Sequence, residues 1–208
     1  MAGSEVSPHA AFRGWHSRGY LPHFDRSNAV QHVTFRLADS LPTHLLRQLE
    51  TELPLEASAE RRRKIAALLD AGHGSCILQN PAAAAAVQDC LQYHDGQRYR
   101  LLAWVVMPNH VHAVLDVSHG FSLSSIMKTV KNYTAHDVNQ LLGRSGSLWM
   151  REYFDRLVRD EDHLWRVVEY IHMNPVTAGL CVSPELWPFS SAQQWKQRLA
   201  GGLAQPPG

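Results

Sequence analysis

The sequence predicts an α+β domain, a ferredoxin-like antiparallel sheet with helices packed on one face. Three observations lead there. Two apolar, strand-like runs, residues 98–107 and 110–117, stand back to back across Pro108-Asn109, as the arms of a hairpin do. Segments of helical periodicity separate the other strand candidates. The resulting order is strand, helices, strand, strand, helix, strand, helix, which favours antiparallel pairing and makes a ferredoxin-like sheet the economical arrangement.

Each element has its own signal. Residues 1–28 are rich in Gly, Pro, His and Arg and read as an extended arm. VQHVTFRL, residues 30–37, has the Val, Thr and Phe content of a first strand. Pro42 opens a helical segment, THLLRQLE, and a second helix carries RRRKIAALLDAG with Gly72 as its stop. A third begins at Asn80-Pro81, where Asn caps and Pro suits the first turn, and runs to about Tyr93. Residues 41–94 are thus a helical elaboration between the first two sheet strands. Ser122 to Leu142 reads as a long helix ending at Gly143. SLWMREYFDRLVR reads as a short strand with irregular flanks. A helix from about Asp160 is expected to end close to Pro175, which has no N–H to continue the ladder. Residues 29–192 form one domain, and 193–208 read as a loose tail.

Composition narrows the class. An apolar share of 45% in 208 residues is enough for one sizeable core. Cys76, Cys90 and Cys181 are odd in number and contain no CxxC pair, which argues against a disulfide framework and for a reducing cytoplasm. No signal-like start and no apolar run of the ~20 residues needed to span a bilayer are visible, so no membrane association is expected. The formal net charge is +1, so affinity for any polyanion must come from local clusters of Arg and Lys.

His110 and His112 lie two apart in a strand, so both rings project from one face while Val111, Ala113 and Leu115 pack on the other. Two imidazoles converging in this way can bind a divalent metal, given a third ligand from elsewhere in the fold. The spacing alone is equally that of two strand histidines without metal.

The segment DEDHLWRVVEYIHMNP has a helix signature. Asp160 caps it, Glu161 and Asp162 suit its positive end, and Leu164, Val167, Val168 and Ile171 form the core stripe. Tyr170 and Asn174, four residues apart, share one flank of that stripe with His163. The Asn174 amide oxygen is a candidate hard ligand, and the Tyr170 phenol is a candidate nucleophile toward phosphorus if a metal polarises the phosphate. Each also has an ordinary structural reading, as a rim tyrosine and a helix-end asparagine.

Taken together, these residues resemble a known family. VVMPNHVHAVL is similar to the metal-binding strand of the HUH single-tyrosine transposases, named for histidine, hydrophobic residue, histidine. LWMREYFDRLVRDEDHLWRVVEYIHMNPVTAGL resembles the second signature of the REP-associated tyrosine transposases, and WPFSSA, residues 187–192, fits as well; the resemblance covers residues 14–192. It implies a ferredoxin-like sheet, Mg²⁺ or Mn²⁺ held by His110, His112 and Asn174, and Tyr170 as the attacking residue. It further implies cleavage and rejoining of single-stranded or hairpin DNA bearing REP-like inverted repeats, through a 5′-phosphotyrosine, by a monomer or homodimer. The helical stretch 41–94 departs from the family pattern.

Other residues are assigned on the same footing. Lys128, Lys131, Arg151, Arg156 and Arg159 are expected to contact phosphates, with Trp15 and Tyr20 of the arm stacking on unpaired bases. Arg61, Arg62, Arg63 and Lys64 read as a solvated helix face or a further DNA contact, and Arg144 belongs with the basic positions around the motifs. Tyr153 and Tyr133 compete with Tyr170 as nucleophile. Tyr153 sits among structural aromatics and Tyr133 beside Lys128 and Lys131, while Tyr93 and Tyr99 read as core or hairpin residues. Two rival functions are a catalytically silent, domesticated hairpin-binding protein and a small-molecule metallohydrolase. The second lacks a third histidine or a carboxylate at HExxH-type spacing.

Overall fold

The computed structural model describes residues 14–17, 22–25, 28–42 and 58–201, with backbone alone at 14–17, 22–25, 58–59 and 61–63. Strands β1 (Gly14–Ser17) and β2 (Pro22–Asp25) pair antiparallel as a small ribbon. Part of the expected extended arm is therefore a hairpin.

The main sheet has four antiparallel strands, β3 (Val30–Arg36), β4 (Tyr99–Val106), β5 (His110–Val117) and β6 (Phe154–Leu157), in the order β4-β5-β3-β6. With helices between the strands in sequence, this is the ferredoxin-like arrangement. The Met107 N–H donates to the His110 carbonyl at 2.9 Å and closes the β4–β5 turn, which fixes the register that starts β5 at a histidine.

Among the described residues there are five α-helices: α1 (Ser58–Asp70), α2 (Pro81–Tyr93), α3 (Leu123–Leu141), α4 (Glu161–Thr177) and α5 (Ala192–Ala200). Helices α2 and α3 lie against one face of the sheet and α4 against the other, so the helices cover both faces rather than the one expected. Val111, Ala113, Leu115 and Val117 of β5 join Phe35, Val87 and Val130 in the larger core on the α2–α3 face. The opposite face carries a second apolar layer, in which Val105 and Val114 meet Val167, Val168 and Ile171 of α4. Both layers form because β4 and β5 are apolar on both sides outside the histidine positions and the Arg100–Asp116 ion pair.

Local signals account for most boundaries. The Asn80 side chain accepts from the N–H groups of Ala82 at 2.9 Å and Ala83 at 3.3 Å, with Pro81 in the first turn of α2. Asp160 accepts from the His163 N–H at 2.7 Å and starts α4. Gly72 follows the end of α1 at φ +71°, a left-handed position that favours glycine. Helix α4 does not stop at Pro175 but runs to Thr177. Pro175 removes one ladder donor there, and the Ala178 N–H still reaches the Asn174 carbonyl at 3.0 Å. Residues 193–200 of the segment read as tail belong to helix α5, and the Trp195 ring N–H pins it to the Leu102 carbonyl at 2.7 Å. The predicted helix THLLRQLE and Tyr20 lie outside the described residues. No helix among the described residues is long and apolar enough to cross a membrane.

Candidate functional site

Strand alternation puts His110 and His112 on the α4 side of the sheet, and both are buried. Their Nε2 atoms face each other at 3.1 Å. Their other nitrogens are held from behind. Nδ1 of His110 lies 2.7 Å from Oδ1 of Asn109, and Nδ1 of His112 lies 2.8 Å from Oγ1 of Thr34, its cross-strand partner. The Asn109 amide is fixed because its Nδ2 donates to the carbonyls of Leu69 and His73, both at 3.0 Å. Its oxygen must therefore accept, which puts the His110 proton on Nδ1 and leaves a bare lone pair on Nε2. His32 adds a third ring, its Nε2 3.2 Å from Nδ1 of His112.

Burial keeps this cluster neutral. Loss of solvent pulls His110 down to about 3, against an opposing pull from the Asn174 side chain. Burial lowers His112 well below the usual histidine range, helped by His110 and His32. His32 falls to about 4 through burial, then Arg156 and His163. Neutral imidazoles are the metal-binding form.

The other two predicted residues come from α4. Asn174 is buried, and its Oδ1 has no hydrogen-bond partner among the described residues. Tyr170, one turn earlier, is 40% exposed, with its ring 5.4 Å from that of His112 and 6.1 Å from that of His32. Burial and the carboxylate of Asp70 raise the Tyr170 phenol above its ordinary value, while the Asn174 side chain favours the phenolate. The resting phenol therefore keeps its proton near neutrality.

These groups open into a groove of about 800 Å³ lined by His32, Asp70, His112, Arg156, Arg159 and Tyr170. Burial raises the Asp70 carboxyl to about 6. Among the described residues no three His, Cys, Asp or Glu side chains could hold a metal by themselves. A hard divalent cation nevertheless fits. The Nε2 lone pair of His110 and the buried, unpartnered oxygen of Asn174 are acceptors, and an uncompensated buried acceptor is costly.

The remaining predicted residues go elsewhere. Lys128, Lys131 and Arg151 line a separate cleft of about 580 Å³ with Trp149 and Tyr153. Lys131 Nζ donates there to the carbonyls of Met150 at 2.7 Å and Arg151 at 2.6 Å. Tyr153 is buried in the larger core, and Tyr133 is exposed on α3. Tyr99 is buried and donates its hydroxyl to the Leu91 carbonyl at 2.7 Å. Trp15 falls in β1. Sequence reasoning missed His32, Thr34, Asn109 and Asp70. The first two had a signal, since His32 and Thr34 are spaced two apart in a strand just as His110 and His112 are. Asn109 adjoins His110 in the turn, and Asp70 had none.

Residues 77–174, which contain all four motif residues, match the family model described as "Transposase IS200 like". A REP-associated tyrosine transposase of Escherichia coli is 27% identical over 94 residues, which are 45% of this chain and 54% of that protein. The chain thus spans about half the length of that relative. A solved REP-associated tyrosine transposase, bound to a REP hairpin, superposes with a TM-score of 0.54 at 18% identity, over 88% of this chain and 86% of that one, which is a likeness of fold. Over residues 77–174 the chain is thus similar to the IS200-like transposases, and over part of its length it is similar to a REP-associated tyrosine transposase.

Proposed function

We propose that this chain is a cation-dependent endonuclease and transesterase of single-stranded DNA that acts at hairpin-forming repeats, with Tyr170 as nucleophile. One juxtaposition carries the reading: Tyr170 and Asn174, one turn apart on α4, stand beside the facing Nε2 atoms of His110 and His112. A binding-only protein has no need of this arrangement. The hairpin is inferred as substrate because the solved relative of similar fold is bound to one.

His110, His112 and Asn174 would hold Mg²⁺ or Mn²⁺, which would supply Lewis-acid charge to the scissile phosphate. Arg156 and Arg159, in the Tyr170 groove, place cationic side chains along the strand's path. Tyr170 Oη gives up its proton and bonds to phosphorus in line with the departing 3′ oxygen. The P–O3′ bond breaks and that oxygen takes up a proton, leaving a 5′-phosphotyrosine and a free 3′-hydroxyl. Asn174 favours the phenolate during the attack. Attack by a 3′-hydroxyl in the reverse sense restores the phosphodiester and the phenol without ATP.

The test uses hairpin and unstructured single strands labelled 3′ of the cleavage position, run on denaturing gels with Mg²⁺ or with EDTA. The expected result is a protein-shifted label on the hairpin in Mg²⁺ alone. Tight hairpin binding without any adduct, across divalent metals, overturns the reading in favour of a silent binding protein.

A further inference from the structure

We infer that His163, in the first turn of α4, seats a backbone phosphate of the bound DNA strand beside the one that Tyr170 attacks, by donating the N–H of its Nε2. The inference rests on the DNA reading above and adds to it a contact that positions the strand.

A reciprocal pair of bonds fixes the ring. Asp160 Oδ1 accepts from the His163 backbone N–H at 2.7 Å, and His163 Nδ1 accepts from the Arg159 backbone N–H at 3.2 Å. The side chain closes the start of the helix as the glutamate or glutamine of a capping box does. Burial, then Arg156, holds His163 below the usual histidine range against a pull from Asp160, so the ring is uncharged near neutrality. With Nδ1 accepting, the one proton of a neutral ring sits on Nε2.

That donor is unused. His163 is 8% exposed, and its Nε2 is buried without a hydrogen-bond partner. A buried donor that bonds to nothing is costly, and the cap employs only the opposite nitrogen. The ring lines the same groove as Tyr170. Seven residues of helix separate the two, so they stand in line on one face of α4, about 10 Å apart, roughly one or two nucleotides of an extended strand.

The surroundings select the acceptor. Arg156, Arg159 and Arg166 line the groove with exposed side chains. Three carboxylates share it: Asp160 is engaged in the helix cap, Asp155 is buried, and Asp70 lies beside His110. An N–H among three guanidinium groups favours an anionic oxygen, which is a phosphate rather than a base edge. Such a contact carries no sequence information. It fixes the strand's position along α4, and so which phosphate comes to Tyr170.

The test is binding of a hairpin with single-stranded flanks, in EDTA, to wild type, His163→Gln and His163→Glu. Each flanking phosphate is replaced in turn by a neutral methylphosphonate. Both substitutions keep an acceptor for the Arg159 N–H, and thermal melts verify the cap, but only glutamine keeps a donor. One methylphosphonate is expected to weaken binding about tenfold in wild type and in His163→Gln. His163→Glu is expected to bind the unmodified strand about tenfold more weakly and to lose under about threefold more at that same phosphate. In wild-type protein carrying ¹⁵N-histidine, long-range ¹H–¹⁵N spectra are expected to show His163 protonated at Nε2, and this arm needs no variant to fold. Losses that multiply at every phosphate in a fully folded His163→Glu, or a proton on Nδ1, overturn the seat and leave the DNA reading standing. A wild type that binds no strand overturns the DNA reading and this inference together.

Discussion

Thr34 Oγ1 meets Nδ1 of His112 at 2.8 Å across the β3–β5 ladder. The hydroxyl sits behind the ring and turns its other nitrogen toward His110. Such outer partners set tautomer and orientation, and their loss commonly costs about 10–100-fold in metal affinity. Thr34→Val, which keeps the shape, should therefore weaken Mn²⁺ binding about tenfold, and Thr34→Ser should largely keep it. Calorimetric titration of the two variants decides this. Full affinity in Thr34→Val together with a loss in His32→Ala would transfer the anchoring role to His32, which approaches the same nitrogen at 3.2 Å.

The nucleophile assignment separates two tyrosines by their surroundings. Tyr170 is 40% exposed at the groove, whereas Tyr153 is buried in the larger core. Tyr170→Phe should fold, change stability by about 0.5 kcal/mol or less, bind hairpin DNA and form no covalent adduct. Tyr153→Phe should keep the adduct. Denaturing gels and peptide mapping of the adduct test both, and an adduct that persists in Tyr170→Phe but disappears in Tyr153→Phe reverses the assignment.

Two basic clefts predict different salt behaviour. Arg156 and Arg159 share the groove with Tyr170, while Lys128 and Arg151 share the cleft beside α3. Each phosphate held on a single strand contributes a slope of about −0.7 in log affinity against log salt. Removing Arg156 and Arg159 should make the slope shallower by about that amount for every phosphate they neutralise, and should also slow cleavage. Removing Lys128 should change the slope without touching the cleavage rate of the bound strand. A slope insensitive to Arg156 and Arg159 would place the strand's path elsewhere.

Acid stability should carry a signature of His172. The ring is buried on α4, 2.8 Å from the Ser191 hydroxyl, and burial lowers it to about 4, with Glu185 opposing. Between about pH 6.5 and 4 the unfolded chain binds this proton and the folded chain does not. Stability therefore falls as pH drops through that window, by about 3 kcal/mol at most. His172→Gln should show a shallower loss than wild type in urea titrations between pH 6.5 and 4.5. Parallel curves for the two proteins would remove His172 from the account.

The capping of α2 gives a plain stability test. Asn80 satisfies two backbone donors through one oxygen. Asn80→Ala should cost about 1 kcal/mol, read as a lower urea midpoint with an unchanged slope, and Asn80→Asp should cost little.

The parts of the site that a local period can specify were legible in the sequence. Alternation along β5 placed His110 and His112 on one face, and the helical wheel of α4 grouped Tyr170 with Asn174. The parts that need a partner segment were not. Thr34 supports His112 only because β3 pairs with β5 in one particular register; the spacing within VQHVTFRL puts His32 and Thr34 on one face but does not name that partner. Asp70 stands 40 residues from His110, and hydrogen bonds from a turn asparagine bring them together. The two residual boundary differences are also tertiary in origin. Pro175 is tolerated where α4 is nearly finished, and α5 forms in a segment of tail-like composition because Trp195 bonds to β4.

Asn109 touches both the histidine strand and the end of α1, which makes the proposed cation site a joint between them. A ligand that favours the docked arrangement must stabilise that docking by the same free energy that the docking adds to its binding. Amide hydrogen exchange in the last turn of α1 should accordingly slow when a divalent cation is added, while the α2–α3 layer, remote from the joint, should exchange as before.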